Sequence, residues 1–156
     1  VTAIKPQTNN TDAVHVVMLM GLGGAETSKG VLSMCAKVNQ HPSCTCTYYH
    51  WYQWETAGQQ LQNATSGSRV VLGYSNGGSK LTWLTAMGFE IDLALALDPT
   101  IWLSMKPLQG NVKDAVCFHD INYLNPVGHA ELKKGSGWNN AKQTLTIIDT
   151  KDWHLS

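Results

Sequence analysis

Three residues of this chain could perform a nucleophilic hydrolysis if brought together: Ser75, Asp98 and His154. A serine hydroxyl attacks poorly until a neighbouring imidazole takes its proton. A carboxylate must then hold that imidazole in one tautomer and balance its positive form. Each of the three stands shortly beyond an apolar, β-forming run: residues 69–72 before Ser75, Ile91–Leu97 before Asp98, and residues 144–148 before His154. In a parallel sheet the C-terminal ends of the strands share one edge, so residues far apart in sequence can meet there.

The serine lies in Gly73-Tyr74-Ser75-Asn76-Gly77, a G-x-S-x-G pattern between a strand and a helix. Leu81, Leu84 and Thr85 share one face of that helix, and Gly88 stops it. The competing reading of the stretch is a plain strand–turn–helix crossover of any parallel α/β protein.

The positioning elements follow from the rest of the chain. Residues 1–12 read as an irregular N-terminal arm, and residues 13–20 (AVHVVMLM) as a central strand broken by Gly21-Leu22-Gly23-Gly24. That turn is not a phosphate loop, because Lys29 is followed by Gly30 rather than Ser or Thr. It is not a dinucleotide fingerprint either, because Glu26 stands where the third glycine belongs. A glycine turn after a strand also suits acyl transfer, since its backbone N–H groups can face a developing oxyanion. Residues 27–38 carry Val31, Met34, Cys35 and Val38 at helical spacing, residues 44–54 read as a strand with an aromatic end, and residues 55–64 as a short helix. Pro107 and Gly110 mark a loop before a strand at 112–121, residues 122–140 are loop-like, and residues 144–148 form the last strand. Strands alternating with helices at least twice on each side of Ser75 predict one domain over residues 1–156, with a mostly parallel sheet of about six strands flanked by helices.

The elbow GYSNGG, the turn MGLGG, the acid segment LALDP and the terminal DWHLS together resemble a small α/β-hydrolase of the esterase and lipase type, without a lid domain. The resemblance runs from the first strand to His154. It implies a minimal α/β-hydrolase fold with Ser75 as nucleophile, His154 as base and Asp98 as orienting acid, the acid position of pancreatic-type lipases. It also implies an oxyanion hole from the Asn76 N–H and an N–H of the 22–24 turn, at Leu22 or Gly23, with no cofactor and no metal. Two departures stand out: fewer strands before the oxyanion turn than many members carry, and only two residues after His154.

The acid has a rival in Asp120, which ends the next strand, where many α/β-hydrolases take theirs. His129 is the alternative base. His15 reads as core, His41 and His50 as structural or exposed, and Asp149 and Asp152 as solvated. His119, Asp120 and His129 lack the spacing of metal ligands, so no metal site is expected. Trp102, Trp138, Trp153 and Tyr74 are expected to rim a pocket for an apolar or aromatic acyl or alcohol group, the competing reading being local core. Trp83 reads as packing.

Eleven basic residues balance eleven acidic ones, which leaves no basic field to attract a nucleic acid. No apolar run reaches ~18 residues, so no membrane span is expected. Cys44 and Cys46 share a strand face, Cys117 reads as a buried small hydrophobe, and the sequence neither shows nor excludes a bridge from Cys35 to Cys44 or Cys46. The cysteines decide neither a cytoplasmic nor a secreted setting, and the oligomeric state is not written in the sequence. The function expected is a serine hydrolase acting on a small or polymeric carboxylic ester or a thioester. The alternatives are a non-catalytic α/β module that binds at the same edge, and an acyltransferase or peptidase on the same triad.

Overall fold

The computed structural model describes residues 12–121 and 130–151. Six strands form one sheet: β1 (Val14–Leu19), β2 (Cys44–Tyr49), β3 (Ser68–Tyr74), β4 (Ile91–Leu97), β5 (Val112–Asp120) and β6 (Thr144–Thr150). The helices are α1 (Lys29–Gln40), α2 (Trp54–Gln62) and α3 (Asn76–Thr85). The spatial order is β2-β1-β3-β4-β5-β6 and every neighbouring pair is parallel.

The chain steps from β1 to β2 on one side, then returns to β3 on the other. The direction of winding therefore reverses between β1 and β3, the kind of point at which open parallel sheets place their ligands beyond the strand C-termini.

Strand periodicity of two divides the core. Val17, Leu19, Val71, Ala94, Ala96 and Cys117 face α2 and α3, which contribute Leu61, Leu81 and Leu84. Val16, Met18, Leu72 and Cys46 face the other way, against Val31 and Cys35 of α1. The three leucines of α2 and α3 are almost completely buried, and each stabilises the packing by about 1.5–3 kcal/mol.

β4 occupies the expected residues. β3 is longer than expected because Gly73 and Tyr74 stay extended up to the corner. The 44–54 stretch divides: β2 ends at Tyr49, and Trp51–Gln53 forms a 3-10 turn. The His50 N–H donates to Gln53 Oε1 at 3.0 Å, which closes that turn and leads into α2. Among the described residues no helix follows α3, where alternation with strands was expected. Residues 98–111 carry no helix, consistent with Pro99 and Pro107 lacking an N–H. This crossover is instead tied to the next one by the Ala130 N–H on the Pro99 carbonyl (3.2 Å) and a bridge between Leu108 and Lys134. His15 is half-buried rather than core, its ring nitrogens 2.8 Å from the Ser66 carbonyl and 3.3 Å from Thr45 Oγ1. Among the described residues no helix is long and apolar enough to cross a membrane.

Candidate active site

Ser75 is the corner between β3 and α3. Its backbone stands at φ 56, ψ −120, in the region where a side chain is strained. The corner is held from several sides. The Ser75 N–H donates to the Leu97 carbonyl of β4 at 2.9 Å, and the Ser75 carbonyl receives the Ser79 N–H at 3.2 Å. Asn76 is the first residue of α3, so its N–H has no partner within the helix. Its side-chain Oδ1 accepts from Thr100 Oγ1 at 2.9 Å, and the Thr100 carbonyl receives Ser79 Oγ at 2.8 Å.

The glycine turn after β1 lies against this corner. A Cβ on Gly21 would stand 3.0 Å from the Cβ of Ser75 and 3.2 Å from the Tyr74 ring, so any side chain there would be tightly packed against the corner. Tyr74 is buried beneath the turn, which makes it a prop for the site. The Gly21 N–H donates to Ser28 Oγ at 3.0 Å and the Gly24 N–H to the Gly21 carbonyl at 3.1 Å. The Thr27 hydroxyl holds the Leu22 carbonyl. The turn is thus fastened at both ends, with the N–H groups of Leu22 and Gly23 between the fastenings. His50, at the end of β2, lies against Gly24: its ring carbon would be 2.5 Å from a Cβ there. The sequence signal for this support is Ser28 at the N-cap of α1, whose hydroxyl serves the turn instead of its own helix.

Asp98 follows β4 and is buried, with its own backbone at φ 45. Its N–H donates to the Phe118 carbonyl at 2.8 Å. Burial, followed by the Asp98 charge, pushes the Tyr74 phenol up to about 12. Burial first, with Glu131 and Asp98 adding to it, likewise pushes the Cys117 thiol up to about 11. Asp98 stands on the strand beside Ser75, one spacing of about 4.8 Å away. Asp120 is also buried at the same edge, but two spacings from Ser75.

Among the described histidines, His119 is the one paired with carboxylates: its Nδ1 lies 3.1 Å from Asp149 Oδ1 and 3.3 Å from Glu131 Oε1. Asp149, expected to be merely solvated, has this partner. His119 sits two strands from Ser75. His154, His129 and Trp153 lie outside the described residues. Among the described residues no cluster of His, Cys, Asp or Glu could hold a metal ion.

The tryptophans separate. Trp102 follows Asp98 closely and is 56% exposed. Trp138 packs against the larger core, just after Gly137, whose carbonyl meets Gly110 before the start of β5. That is the N-terminal edge of the sheet, opposite Ser75, so Trp138 does not rim the site. Trp83 packs as expected, its Nε1 donating to the Ser104 carbonyl at 2.9 Å with the Lys80 and Lys106 ammonium groups over the ring. A cleft of about 610 Å³ opens between the crossovers that follow β4 and β5, lined by Thr100, Ile101, Leu103, Met105 and Glu131 among others. Thr100 joins this cleft to Asn76 and hence to the serine corner.

No family model and no curated protein matches the chain. A solved structure similar to it is an iodinated complex of acetyl xylan esterase, at 10% identity over 90% of this chain and 84% of that chain, with a TM-score of 0.48.

Proposed function

We propose that the protein is a serine hydrolase that cleaves carboxylic esters, thioesters included, through an acyl-enzyme. The observation that carries this reading is the Ser75 corner. A non-glycine residue is held at φ 56 between a strand and a helix N-terminus, at the point where the sheet reverses its winding and against a glycine turn. Backbone strain of this kind costs about 1–3 kcal/mol and clusters at working sites.

In the proposed reaction Ser75 Oγ attacks the ester carbonyl while His154 takes its proton. His154 follows the last residue of β6, Thr150, by four positions. Asp98 orients the imidazole and balances its charge. The oxyanion is received by the N–H of Asn76 and by that of Leu22 or Gly23. Collapse expels the alcohol, protonated by His154, and leaves the acyl group on Ser75. A water activated by His154 then releases the acid. The scheme calls for neither cofactor nor metal.

Leu22, Tyr52, Ile101 and Trp102 are large apolar residues left 55%, 60%, 59% and 56% exposed. All four follow the C-terminal ends of strands of the sheet. They support an ester with an apolar acyl or alcohol group, with Trp102 and Trp153 as contacts and the Thr100–Glu131 cleft as its bed.

The test is hydrolysis of aryl esters of increasing acyl length by wild type and Ser75→Ala. The variant should lose turnover by on the order of 10⁴-fold or more with its fold kept. Wild-type turnover should rise with pH through the imidazole range, near ~6.5, to a plateau. Turnover retained by the variant would remove Ser75 from the role. A folded wild type that turns over no ester would favour a binding module at the same edge.

A further inference from the structure

Away from the serine corner, three cysteines gather where α1 packs on β2. Cys35 lies on the inner face of α1 and Cys46 on the facing side of β2, and both are 2% exposed. Asn39, one helical turn after Cys35, joins the two. Its Nδ2 donates to the Cys46 carbonyl at 2.9 Å and lies 3.9 Å from Cys35 Sγ, while its Oδ1 accepts the Cys46 N–H at 2.8 Å. The two side chains lie in the same buried cluster. The neighbouring Cys46 holds the Cys35 thiol below its ordinary range, against the opposing effect of burial, while Cys35 and burial push Cys46 above it. Cys44 is half-buried on the same strand face as Cys46, near enough for its charge to act on Cys46. The fourth cysteine, Cys117, is buried in the other core.

We propose that Cys35 and Cys46 are a dithiol that closes to a disulfide and staples α1 to β2 when the protein meets a small disulfide oxidant of the glutathione-disulfide class. The Cys35 thiolate attacks one sulfur of the oxidant and forms a mixed disulfide, releasing the first small thiolate. The Cys46 thiolate then attacks the Cys35 sulfur and releases the second. The pair gives up two electrons and two protons, and the oxidant becomes two thiols. Because both sulfurs are buried, closure occurs during folding or when α1 lifts from the sheet. The pairing is chosen by Asn39, which fixes the Cys46 backbone opposite Cys35; Cys44 is the competitor two residues away. α1 follows the glycine turn and Ser28 fastens that turn, so the staple would anchor the element that supports it.

The experiment is to unfold the protein, refold it in a mixture of reduced and oxidised glutathione or in dithiothreitol, and compare intact mass, unreduced peptide maps and melting temperature. The glutathione sample should be lighter by about 2 Da, the two hydrogens lost. Its map should show Cys35 joined to Cys46, and its Tm should be higher by roughly 5–10 °C. Cys44→Ser should preserve all three results. No mass loss on refolding, or a bridge that runs through Cys44, would overturn the proposal. The readouts are mass and melting, so the outcome is independent of whether Ser75 hydrolyses an ester.

Discussion

Ser75 and Asp98 are the two non-glycine residues with positive φ among the described residues, at 56 and 45, and they end neighbouring strands. Such strain persists where surrounding contacts over-determine the backbone; here the Ser75 N–H is held by Leu97 and the Asp98 N–H by Phe118. Asp98→Asn should therefore lower kcat on esters by about 10⁴-fold with the fold kept, because the base loses its orienting charge. Asp120→Asn should stay within about tenfold of wild type. Steady-state kinetics on the two variants checks this, and the reverse ranking would make Asp120 the acid. G-x-S-x-G made the serine corner legible in the sequence. The preference between the acids was not equally legible, because both aspartates follow an apolar strand. The proposed ranking rests on lateral strand order and on the backbone conformation of Asp98, and neither is encoded in local residue pattern.

At the scale of elements, the site depends on α3 lying very close to β1. A Cβ on Gly77 would stand 2.2 Å from the Leu19 carbonyl oxygen, so the helix and strand touch through backbone. Gly77→Ala must push the helix away, and a destabilisation of about 1–3 kcal/mol is expected from such overpacking. Urea unfolding measures it as a lowered midpoint with an unchanged slope; an unchanged midpoint would contradict the close approach. The apolar runs of β1, β4 and β5 announced themselves through composition. The split at Tyr49 did not, because the aromatic residues that follow belong equally to a strand or a tight turn, and the His50–Gln53 bond decides. The two crossovers after β4 and β5 had visible proline and glycine signals, but their mutual support through Ala130 and Leu108 joins segments distant in sequence.

Over the whole molecule, burial makes alkaline pH destabilising. The Tyr74 phenol stands at about 12 against an ordinary 10.0, and the Cys117 thiol at about 11 against 9.0. In those windows the unfolded chain gives up protons that the folded chain keeps, so stability is full below pH 9.0 and falls as pH rises toward 12. The urea midpoint should decline across that range, with Tyr74→Phe removing the later part; a flat profile would contradict the burial of both groups. The parallel order of the sheet was legible as strands spaced by crossovers, whereas the location of Trp138 at the edge opposite Ser75 was not, since sequence distance says nothing of which edge a loop turns at. In the proposed reaction this fold activates Ser75, and intact mass after exposure to a fluorophosphonate, on wild type and on Ser75→Ala, reads that activation. One adduct on wild type and none on the variant is the predicted result; no adduct on folded wild type, or equal labelling of both, would contradict it.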